Sequence, residues 1–190
     1  MYQDLNSFKL KPGERGRSAW IVQLWWIVQP VLFGMSPQLM FGWRRFLLRL
    51  FGARIGKGVL IRPSARITYP WKIEIGDYSW IGDNTMLYSL GLISIGRNVV
   101  VSQSSYLCTG THDYTVPSFD LITKPIVIED EAWVATDVFV APGVTIGKGA
   151  IIAARSTVTK DIESLYIYRG NPAKKVRQRI MFDEVKLDAG

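Results

Sequence analysis

The sequence predicts a mainly β chain, a parallel β-helix of six-residue repeats with a helical segment before it and a short C-terminal helix after it. Three observations support this prediction. From Ile55 onward an aliphatic residue returns at nearly every sixth position. A small or β-branched residue usually stands four positions later, and Gly or Ala often follows the aliphatic residue directly. Before the repeat, apolar residues recur instead at helical spacing.

These patterns divide the chain into three parts. We predict an N-terminal helical, amphipathic segment over residues 1–54 and a parallel β-helix over 55–163. The β-helix has an inserted loop at 110–125, and a C-terminal extension with a short helix covers 164–190. A chain of 190 residues with 48% hydrophobic and 21% charged residues can bury a substantial core.

Charge and cysteine content exclude several classes of function. Residues 1–54 hold eight Lys or Arg against two acidic residues, whereas the other 136 residues hold 15 against 14. The positive charge therefore belongs to the N-terminal segment, and we expect no nucleic-acid-binding face on the main body. A single cysteine, Cys108, excludes an internal disulfide framework and a cysteine-based zinc site.

The first apolar run, AWIVQLWWIVQPVLF, covers residues 19–33. It is 15 residues long and is interrupted by Gln23, Gln29 and Pro30. A membrane-spanning helix needs about 20 consecutive apolar residues, so this run is too short. No cleavage site for a signal peptide follows it.

The next run, SPQLMFGWRRFLLRLFG, predicts a helix with both ends marked. Ser36 is a suitable N-cap, Pro37 suits the first turn, and Gly52 can close the C-terminus. Two interpretations of residues 19–51 stay open. One is a helical cap packed on the main domain, and the other is a basic, Trp-rich interfacial segment on an anionic membrane. The two are compatible, because a helix can pack on one face and touch lipid with another. In the helix, apolar residues point to one side (Met40, Trp43, Leu47, Leu50) and arginines to another (Arg44, Arg45, Arg49).

The six-residue repeat is unusually strict. A period of six matches neither an amphipathic helix nor a single alternating strand, but it matches a β-helix in which each hexapeptide forms one side of a triangular coil. About five and a half turns fit between residues 55 and 163. All 17 positions predicted to point inward are Ile, Val or Leu, although these types supply only 51 of the 190 residues: Ile55, Ile61, Ile67, Ile73, Ile75, Ile81, Leu87, Ile93, Ile95, Val101, Leu107, Ile128, Val134, Val140, Ile146, Ile152 and Val158.

The repeat stops once, at residues 110–125. The next inward position would fall on Asp113, and a charged side chain cannot enter the apolar interior. The chain must therefore leave the coil, and a loop of this length in a compact repeat is usually functional. His112, the single histidine of the sequence, stands at this exit.

Two stretches near the C-terminus resemble a known family. The sequences AWVATDVFVAPGVTIGKGAIIAARSTVTKDI and GNPAKKVR resemble the signature of hexapeptide-repeat acyltransferases, over roughly residues 53–180. The stretches WRRFLLRLFGARIG and GTHDYTVPSFDLITKPIVIED are similar to the subgroup that acetylates sugars in exopolysaccharide synthesis, such as the colanic-acid acetyltransferases. The resemblance implies a left-handed coil, acetyl-CoA as co-substrate without a metal, and a homotrimer with sites between neighbouring coils.

The resemblance also implies candidate catalytic and acceptor residues. His112 in TGTH matches the catalytic histidine, a general base for a sugar hydroxyl, and histidine has an ordinary pKa of about 6.5, which suits that task. Asn84 matches an asparagine that binds the acceptor hydroxyl, although it is equally an ordinary corner residue. We expect Asp113 or Asp120 to orient the imidazole or the sugar, unless both are solvated loop carboxylates.

The coenzyme positions are likewise implied by matching residues. Trp133 matches a residue stacked beside the pantetheine arm of the coenzyme. Thr136 and Ala154 match positions whose backbone groups form hydrogen bonds with the pantetheine. Three basic residues match positions near the phosphates of the coenzyme: Lys160, Lys174 and Arg177. Each basic residue could instead be a solvated surface charge. Ala153 and Arg155 stand where the family more often has glycine, which leaves the local backbone course open.

The expected function is acetyl-CoA-dependent O-acetylation of a bacterial glycan, free or lipid-linked, by a cytoplasmic protein that is either free or peripheral to the membrane. An alternative is a hexapeptide acyltransferase for another small acceptor: a sugar-nucleotide amine, an antibiotic or serine. A non-catalytic scaffold is a third hypothesis, although it gives no reason for the position of His112. One histidine excludes the three-histidine zinc site of a γ-type carbonic anhydrase.

Overall fold

The chain begins with helical turns and then winds into a coil of short strands. The computed structural model describes residues 2–180. A 3₁₀ turn at Leu5–Ser7 precedes helix α1 (Ala19–Val28), which continues into a π-helical turn at Gln29–Gly34. Helix α2 (Phe41–Leu50) follows, and the coil begins directly after it.

The strands of the coil are two to five residues long, with one 3₁₀ turn at Pro70–Lys72. In chain order they are β1 (Arg54–Ile55), β2 (Leu60–Ile61), β3 (Arg66–Ile67), β4 (Ile73–Ile75), β5 (Trp80–Ile81), β6 (Met86–Tyr88), β7 (Ile93–Ile95), β8 (Val100–Val101), β9 (Tyr106–Cys108), β10 (Gly110–His112), β11 (Leu121–Thr123), β12 (Ile126–Ile128), β13 (Trp133–Val134), β14 (Phe139–Val140), β15 (Thr145–Ile146), β16 (Ile151–Ile152), β17 (Thr157–Val158), β18 (Tyr166–Arg169) and β19 (Lys174–Gln178).

Three sheets form the faces of the coil, and their strands are parallel apart from the final strand. Sheet A is ordered β1-β4-β7-β12-β15, sheet B is ordered β2-β5-β8-β13-β16-β18-β19, and sheet C is ordered β3-β6-β9-β14-β17. Each turn of the chain therefore visits sheets A, B and C in succession. Equivalent aliphatic residues pair from turn to turn, as Ile55 does with Ile75 and Ile75 with Ile95. The predicted parallel β-helix is confirmed.

The interior follows the six-residue pattern without exception. All 17 residues predicted to point inward are buried, and the most exposed of them, Ile55, is only 8% exposed. Small residues four positions later are buried with them, for example Ala65, Ser79 and Val99. Burial of these stacked aliphatic side chains supplies the main stabilising free energy of the coil.

The interruption at 110–125 contains a β-hairpin. Strands β10 and β11 pair antiparallel, with Gly110 opposite Thr123 and His112 opposite Leu121. The coil resumes at Ile126, which pairs with Ile93 of sheet A and is fully buried. Ile126 thus occupies the inward place that the spacing gives to Asp113, and the charged residue lies outside the coil as expected.

The open edge of the first turn is covered by side chains of the two helices. Arg44 Nε donates to the Ile61 carbonyl at the edge of sheet B (2.6 Å). Arg49 Nη2 donates to the Ile55 carbonyl at the edge of sheet A (2.7 Å). These bonds satisfy carbonyl groups that have no preceding strand to pair with.

Helix α1 performs the same task at the edge of sheet C. Trp25 Nε1 donates to the Ile67 carbonyl (2.8 Å), and the Ile67 amide donates to Gln29 Oε1 (2.7 Å). The helical segment is therefore a cap on the coil, as the first interpretation holds. The arginines of α2, which the sequence places on another side from the apolar residues, point toward the coil, whereas Leu50 is 67% exposed.

Arg44 is fully buried and occupies the centre of the cap. Besides Ile61 it donates to Ser36 Oγ, to the Pro37 carbonyl and to the Gln38 carbonyl. Burial lowers the pKa of Arg44 below its ordinary value. Its bonds hold the turn before α2, so the helix begins at Phe41 rather than at the expected Ser36 cap.

The two remaining helix expectations have different outcomes. Gly52 adopts φ +95° directly after α2 and closes the helix as predicted. The C-terminal extension instead contains strands β18 and β19, which pair antiparallel at the end of sheet B. No helix occurs in 164–180, and the rest of the predicted extension, 181–190, lies outside the described residues.

We predict that Arg44→Met destabilises the protein by about 3 kcal/mol, because it leaves buried carbonyl groups without a donor. Arg54→Met is the matched control, since Arg54 is an arginine of the first turn whose side chain is 81% exposed and whose ion-pair partner among the described residues is Glu74. The control should lose less than ~1 kcal/mol. Urea unfolding followed by circular dichroism, at equal protein concentration, measures both. Equal losses would show that Arg44 does not stabilise the cap.

Candidate active site

His112 is held in the last pair of the hairpin ladder, opposite Leu121, with one ring nitrogen bonded. Its Nδ1 lies 2.7 Å from the Phe119 carbonyl oxygen across the hairpin. A carbonyl oxygen can only accept, so Nδ1 carries the hydrogen and Nε2 is the unprotonated nitrogen of the neutral ring. Within residues 2–180, Nε2 has no hydrogen-bond partner. The imidazole is thus arranged to accept a proton.

Phe119 fixes the imidazole in two ways. Its ring stacks on the imidazole at a centroid distance of 4.3 Å and an angle of 7°. Its backbone adopts φ +51°, the left-handed region that an aromatic residue rarely enters. A conformation of this kind costs about 1–3 kcal/mol and persists only where the surroundings enforce it, often at functional sites.

A cavity of about 230 Å³ adjoins His112. Its walls come from the hairpin, from the outer surface of the coil and from the N-terminal residues before α1. Besides His112, its lining residues are Phe8, Leu10, Glu14, Arg15, Tyr69, Tyr88, Leu90 and Leu121. Aromatic rings, one carboxylate and one guanidinium therefore surround the space next to the imidazole.

The N-terminal wall of this cavity is anchored to the rest of the protein. The Asp4 amide donates to the Pro117 carbonyl at the hairpin tip (2.7 Å), and Trp71 Nε1 donates to the Arg15 carbonyl (2.6 Å). The Phe8 ring lies 6.2 Å from the imidazole. The sequence interpretation missed this wall, because residues 2–17 have no periodic pattern and the contacts that anchor them to the rest of the protein are distant along the chain.

The two carboxylates expected near His112 do not bond to the imidazole. Asp113 Oδ1 accepts from the amide (2.9 Å) and the hydroxyl (2.5 Å) of Thr115, and these bonds lower the pKa of Asp113. The Asp120 carbonyl accepts from the Asp113 amide and closes the hairpin. The expectation that a carboxylate orients the imidazole is therefore corrected, because the Phe119 carbonyl does so.

Asn84 lies on a different edge of the coil from His112. His112 leaves the coil between sheets C and A, whereas Asn84 is in the corner between sheets B and C. Its φ of +55° is shared by the equivalent corner residues Ser104 (φ +60°) and Asp137 (φ +58°). Asn84 is therefore a regular corner residue in geometry, and one chain does not bring it to His112.

The positions expected to contact the coenzyme are also divided between edges. Thr136 and Ala154 lie in the same B–C corners as Asn84, and Trp133 is on the outer face of sheet B, 45% exposed, with Nε1 donating to Ser102 Oγ. Lys160 lies instead between sheets C and A, on the edge of His112. The remaining two basic residues, Lys174 and Arg177, are exposed on β19 at the end of sheet B.

The residues that replace family glycines do not alter the corner. Arg155 adopts φ +58°, and its amide donates to the Thr136 carbonyl as the Asp137 amide does to the Gln103 carbonyl one turn earlier. The backbone course at this corner is therefore the regular one. Among residues 2–180, no three His, Cys, Asp or Glu side chains are grouped so that they could hold a metal ion.

Comparisons with known proteins agree with this architecture. The family model described as bacterial transferase hexapeptide (six repeats) matches residues 125–160. The putative colanic acid biosynthesis acetyltransferase WcaF of Escherichia coli (strain K12) is 56% identical over 178 residues, which cover 94% of this chain and 98% of that protein. This chain belongs to the hexapeptide-repeat acyltransferases. It is accordingly an acetyl-CoA-dependent enzyme with a left-handed coil.

Solved structures of other hexapeptide-repeat acyltransferases superpose closely. The acetyltransferase VCA0836 of Vibrio cholerae, complexed with acetyl coenzyme A, has a TM-score of 0.78 at 27% identity and covers 87% of this chain and 92% of its own. A maltose O-acetyltransferase from Clostridium difficile 630 has a TM-score of 0.78 at 25% identity, covering 86% and 90%. Within residues 2–180 of this acyltransferase, no helix has both the length and the apolar character needed to cross a membrane.

We predict that the neutral imidazole of His112 carries its hydrogen on Nδ1. Because the sequence contains one histidine, its ring resonances need no assignment. A long-range ¹⁵N–¹H correlation spectrum at a pH above the titration of the ring should show Nε2 as the unprotonated nitrogen. A spectrum with the hydrogen on Nε2 would contradict the bond to the Phe119 carbonyl.

Proposed function

We propose that this acyltransferase transfers the acetyl group of acetyl-CoA to a sugar hydroxyl in the synthesis of an exopolysaccharide of the colanic-acid type. His112 acts as the general base. The observation that supports this most is the unbonded Nε2 beside a cavity, with Nδ1 fixed by the Phe119 carbonyl. The names of two relatives agree with this proposal, since WcaF is named for colanic acid biosynthesis and the Clostridium difficile enzyme is a maltose O-acetyltransferase.

The proposed mechanism is direct attack without a covalent enzyme intermediate. Nε2 of His112 accepts the proton of the sugar hydroxyl while the oxygen attacks the thioester carbon. The tetrahedral oxyanion then collapses, the carbon–sulfur bond breaks, and the thiolate of CoA takes up the proton that the imidazole holds. Cys108 has no part in this scheme, because its Sγ donates to the Gly110 carbonyl (3.2 Å) and a thiol nucleophile would need a base of its own.

The coenzyme and the acceptor are proposed to bind at the matched positions. The exposed indole of Trp133 offers a flat apolar surface for the pantetheine arm, beside the Thr136 and Ala154 corners. Three exposed basic residues are available for the phosphates: Lys160, Lys174 and Arg177. Asn84, Asp113 and Asp120 remain proposed contacts for the sugar.

A homotrimer would complete this site. His112 and Lys160 lie where the chain turns from sheet C to sheet A, which we call the C–A edge of the coil. Asn84, Thr136 and Ala154 lie where it turns from sheet B to sheet C, the B–C edge. Since one coil separates the two groups, a site that uses both requires the C–A edge of one protomer beside the B–C edge of the next. A closed threefold ring satisfies this requirement for every protomer.

The acceptor is proposed to be a glycan at the inner face of the cytoplasmic membrane, which residues 19–51 contact peripherally. The support is the composition of the exposed cap: Trp20, Ile27 and Leu39 are 86%, 63% and 85% exposed. Exposed apolar patches of this kind mark interaction surfaces. Interfacial contact of this type needs no membrane-spanning helix.

His112→Ala should lower kcat for acetyl transfer by about 10²–10⁴-fold, since a general base contributes that much. KM for acetyl-CoA should change little, because the imidazole acts on the acceptor. Cys108→Ala is the control and should keep wild-type kcat. Labelled acetyl-CoA with hydroxyl and amino sugars as acceptors measures the rates. Equal rates for His112→Ala and the wild type would remove the proposed base, and transfer to amino sugars alone would replace the proposed acceptor.

Coexpression of two inactive variants should restore activity if the site lies between protomers. His112→Ala disables the C–A edge, and Ala154→Trp fills the B–C edge. In every mixed trimer one of the three sites has two intact edges, so we expect the purified mixed assemblies to show about a third of wild-type activity. Mixed assemblies are purified through two different affinity tags, and each variant alone is the control. Mixed assemblies without activity would show that the active site is not shared between neighbouring protomers.

A further inference from the structure

A second cavity, of about 760 Å³, lies between the helical cap and the outer face of sheet C. The π-helical turn after α1 forms one side, and strands β3 and β6 form the other. Most of the lining side chains are apolar or aromatic, including Trp26, Pro30, Met35, Met86 and Tyr88. We call this cavity the cap groove. Its volume lies within the range of ligand-binding sites.

One end of the cap groove joins the exposed apolar surface of the cap. Trp26 and Met35 line the groove and are themselves 52% and 78% exposed. The same segment carries further exposed apolar side chains and no charged residue between positions 18 and 43: Trp20, Leu24, Ile27, Val31 and Leu39. A hydrocarbon chain that leaves the lipid bilayer at this surface would enter the groove without passing charged residues.

The other end of the cap groove reaches the His112 cavity. Tyr88 lines both spaces, so the two cavities meet at this side chain. Gly110, the first residue of the hairpin, brings the backbone so close that an added Cβ would lie 3.4 Å from Tyr88 Cε1 and 2.8 Å from Leu90 Cδ1. The imidazole and the apolar groove are thus adjacent sections of one surface.

The charges along this path favour an anionic ligand. Arg66 lines the groove and Arg15 lines the His112 cavity. Within the described residues neither forms an ion pair with a carboxylate. No Asp or Glu occurs between Glu14 and Glu74, a span that contains ten Lys or Arg. Phosphate groups pair strongly with arginine in such surroundings.

A hydroxyl inside the groove also lacks a partner. The Oγ1 atom of Thr68 is buried and makes no hydrogen bond within residues 2–180. Thr68 lines the cap groove and directly follows β3, where the chain turns from sheet C to sheet A. An unsatisfied buried hydroxyl is uncommon, and a polar group of a ligand in the groove would satisfy it.

We propose that the cap groove binds the hydrocarbon chain of a lipid phosphate, so that a sugar linked to that phosphate reaches His112. The proposal rests on the sugar acetylation proposed above and specifies its acceptor as lipid-linked. The chain lies against Trp26, Met35 and Met86, and the phosphate lies toward the unpaired arginines. This arrangement gives the exposed cap and the catalytic cavity a common ligand.

Calorimetric titration of the full chain with farnesyl phosphate tests the proposal without relying on activity. Met35→Glu and Met86→Glu place a carboxylate in the groove and should weaken binding at least ~10-fold. Met40→Glu is the matched control, since Met40 is an exposed methionine of the same segment that does not line the groove. Inorganic phosphate should show no binding at the same concentration. Because Met35 is 78% exposed, its replacement cannot act by unfolding the core.

Several outcomes would overturn the proposal. Absence of farnesyl phosphate binding to the wild type would do so, as would equal weakening by Met40→Glu. Loss of the oligomer in Met86→Glu, measured by sedimentation, would show that a second copy covers the groove instead. Acetylation of water-soluble sugars without lipid phosphate binding would remove this inference and leave sugar acetylation standing. Lipid phosphate binding without acetylation of any sugar would do the reverse.

Discussion

The structure depends on one constraint, which is that the inside of the coil accepts only aliphatic and small side chains. Each inward residue stacks on its equivalents one turn above and below, as Ile75 does between Ile55 and Ile95. An ionised group at such a place would be buried without a partner at a high cost in free energy. The coil must therefore open wherever the sequence supplies a charge, and Asp113 is where this happens. The hairpin that places His112 follows from the same constraint as the regular turns.

A coil of parallel strands also leaves unpaired backbone groups at its first turn, and their satisfaction determines the surface of the N-terminal segment. Arg44, Arg49 and Trp25 donate to carbonyl groups at the edges of the three sheets. With its polar groups turned inward, the cap leaves apolar residues on the outside. The exposed apolar side chains of the cap, which include Trp26 and Met35 at the cap groove, are thus a consequence of capping by arginine and tryptophan side chains that donate inward.

The parts of the structure that the sequence predicts are those governed by a local rule. The repeat was identifiable because the inward positions from Ile55 to Val158 recur every six residues apart from two-residue shifts after Ile73 and Ile93. The break was identifiable because Asp113 would be the next inward residue. The direction of the Arg44 side chain was not identifiable from the sequence. An arginine in an amphipathic helix can donate hydrogen bonds either to water or to buried carbonyl groups, and only tertiary contacts decide between them. The cavity wall from residues 2–17 was missed for the same reason. The atom that bonds Nδ1 of His112 is a backbone carbonyl, which no residue type reveals.

The use of a carbonyl rather than a carboxylate to orient His112 bears on the charge of the site. The Phe119 carbonyl fixes the tautomer without a negative charge beside the ring. Nearby carboxylates are bonded to their own segments, Asp113 to Thr115 and Glu14 to the Lys11 amide at 3.1 Å. Their negative charge is therefore partly neutralised by donors, while Arg15 stays unpaired in the cavity wall within the described residues. The positive charge of Arg15 would attract an anionic acceptor toward the His112 imidazole, and this electrostatic arrangement suits a phosphate-linked sugar.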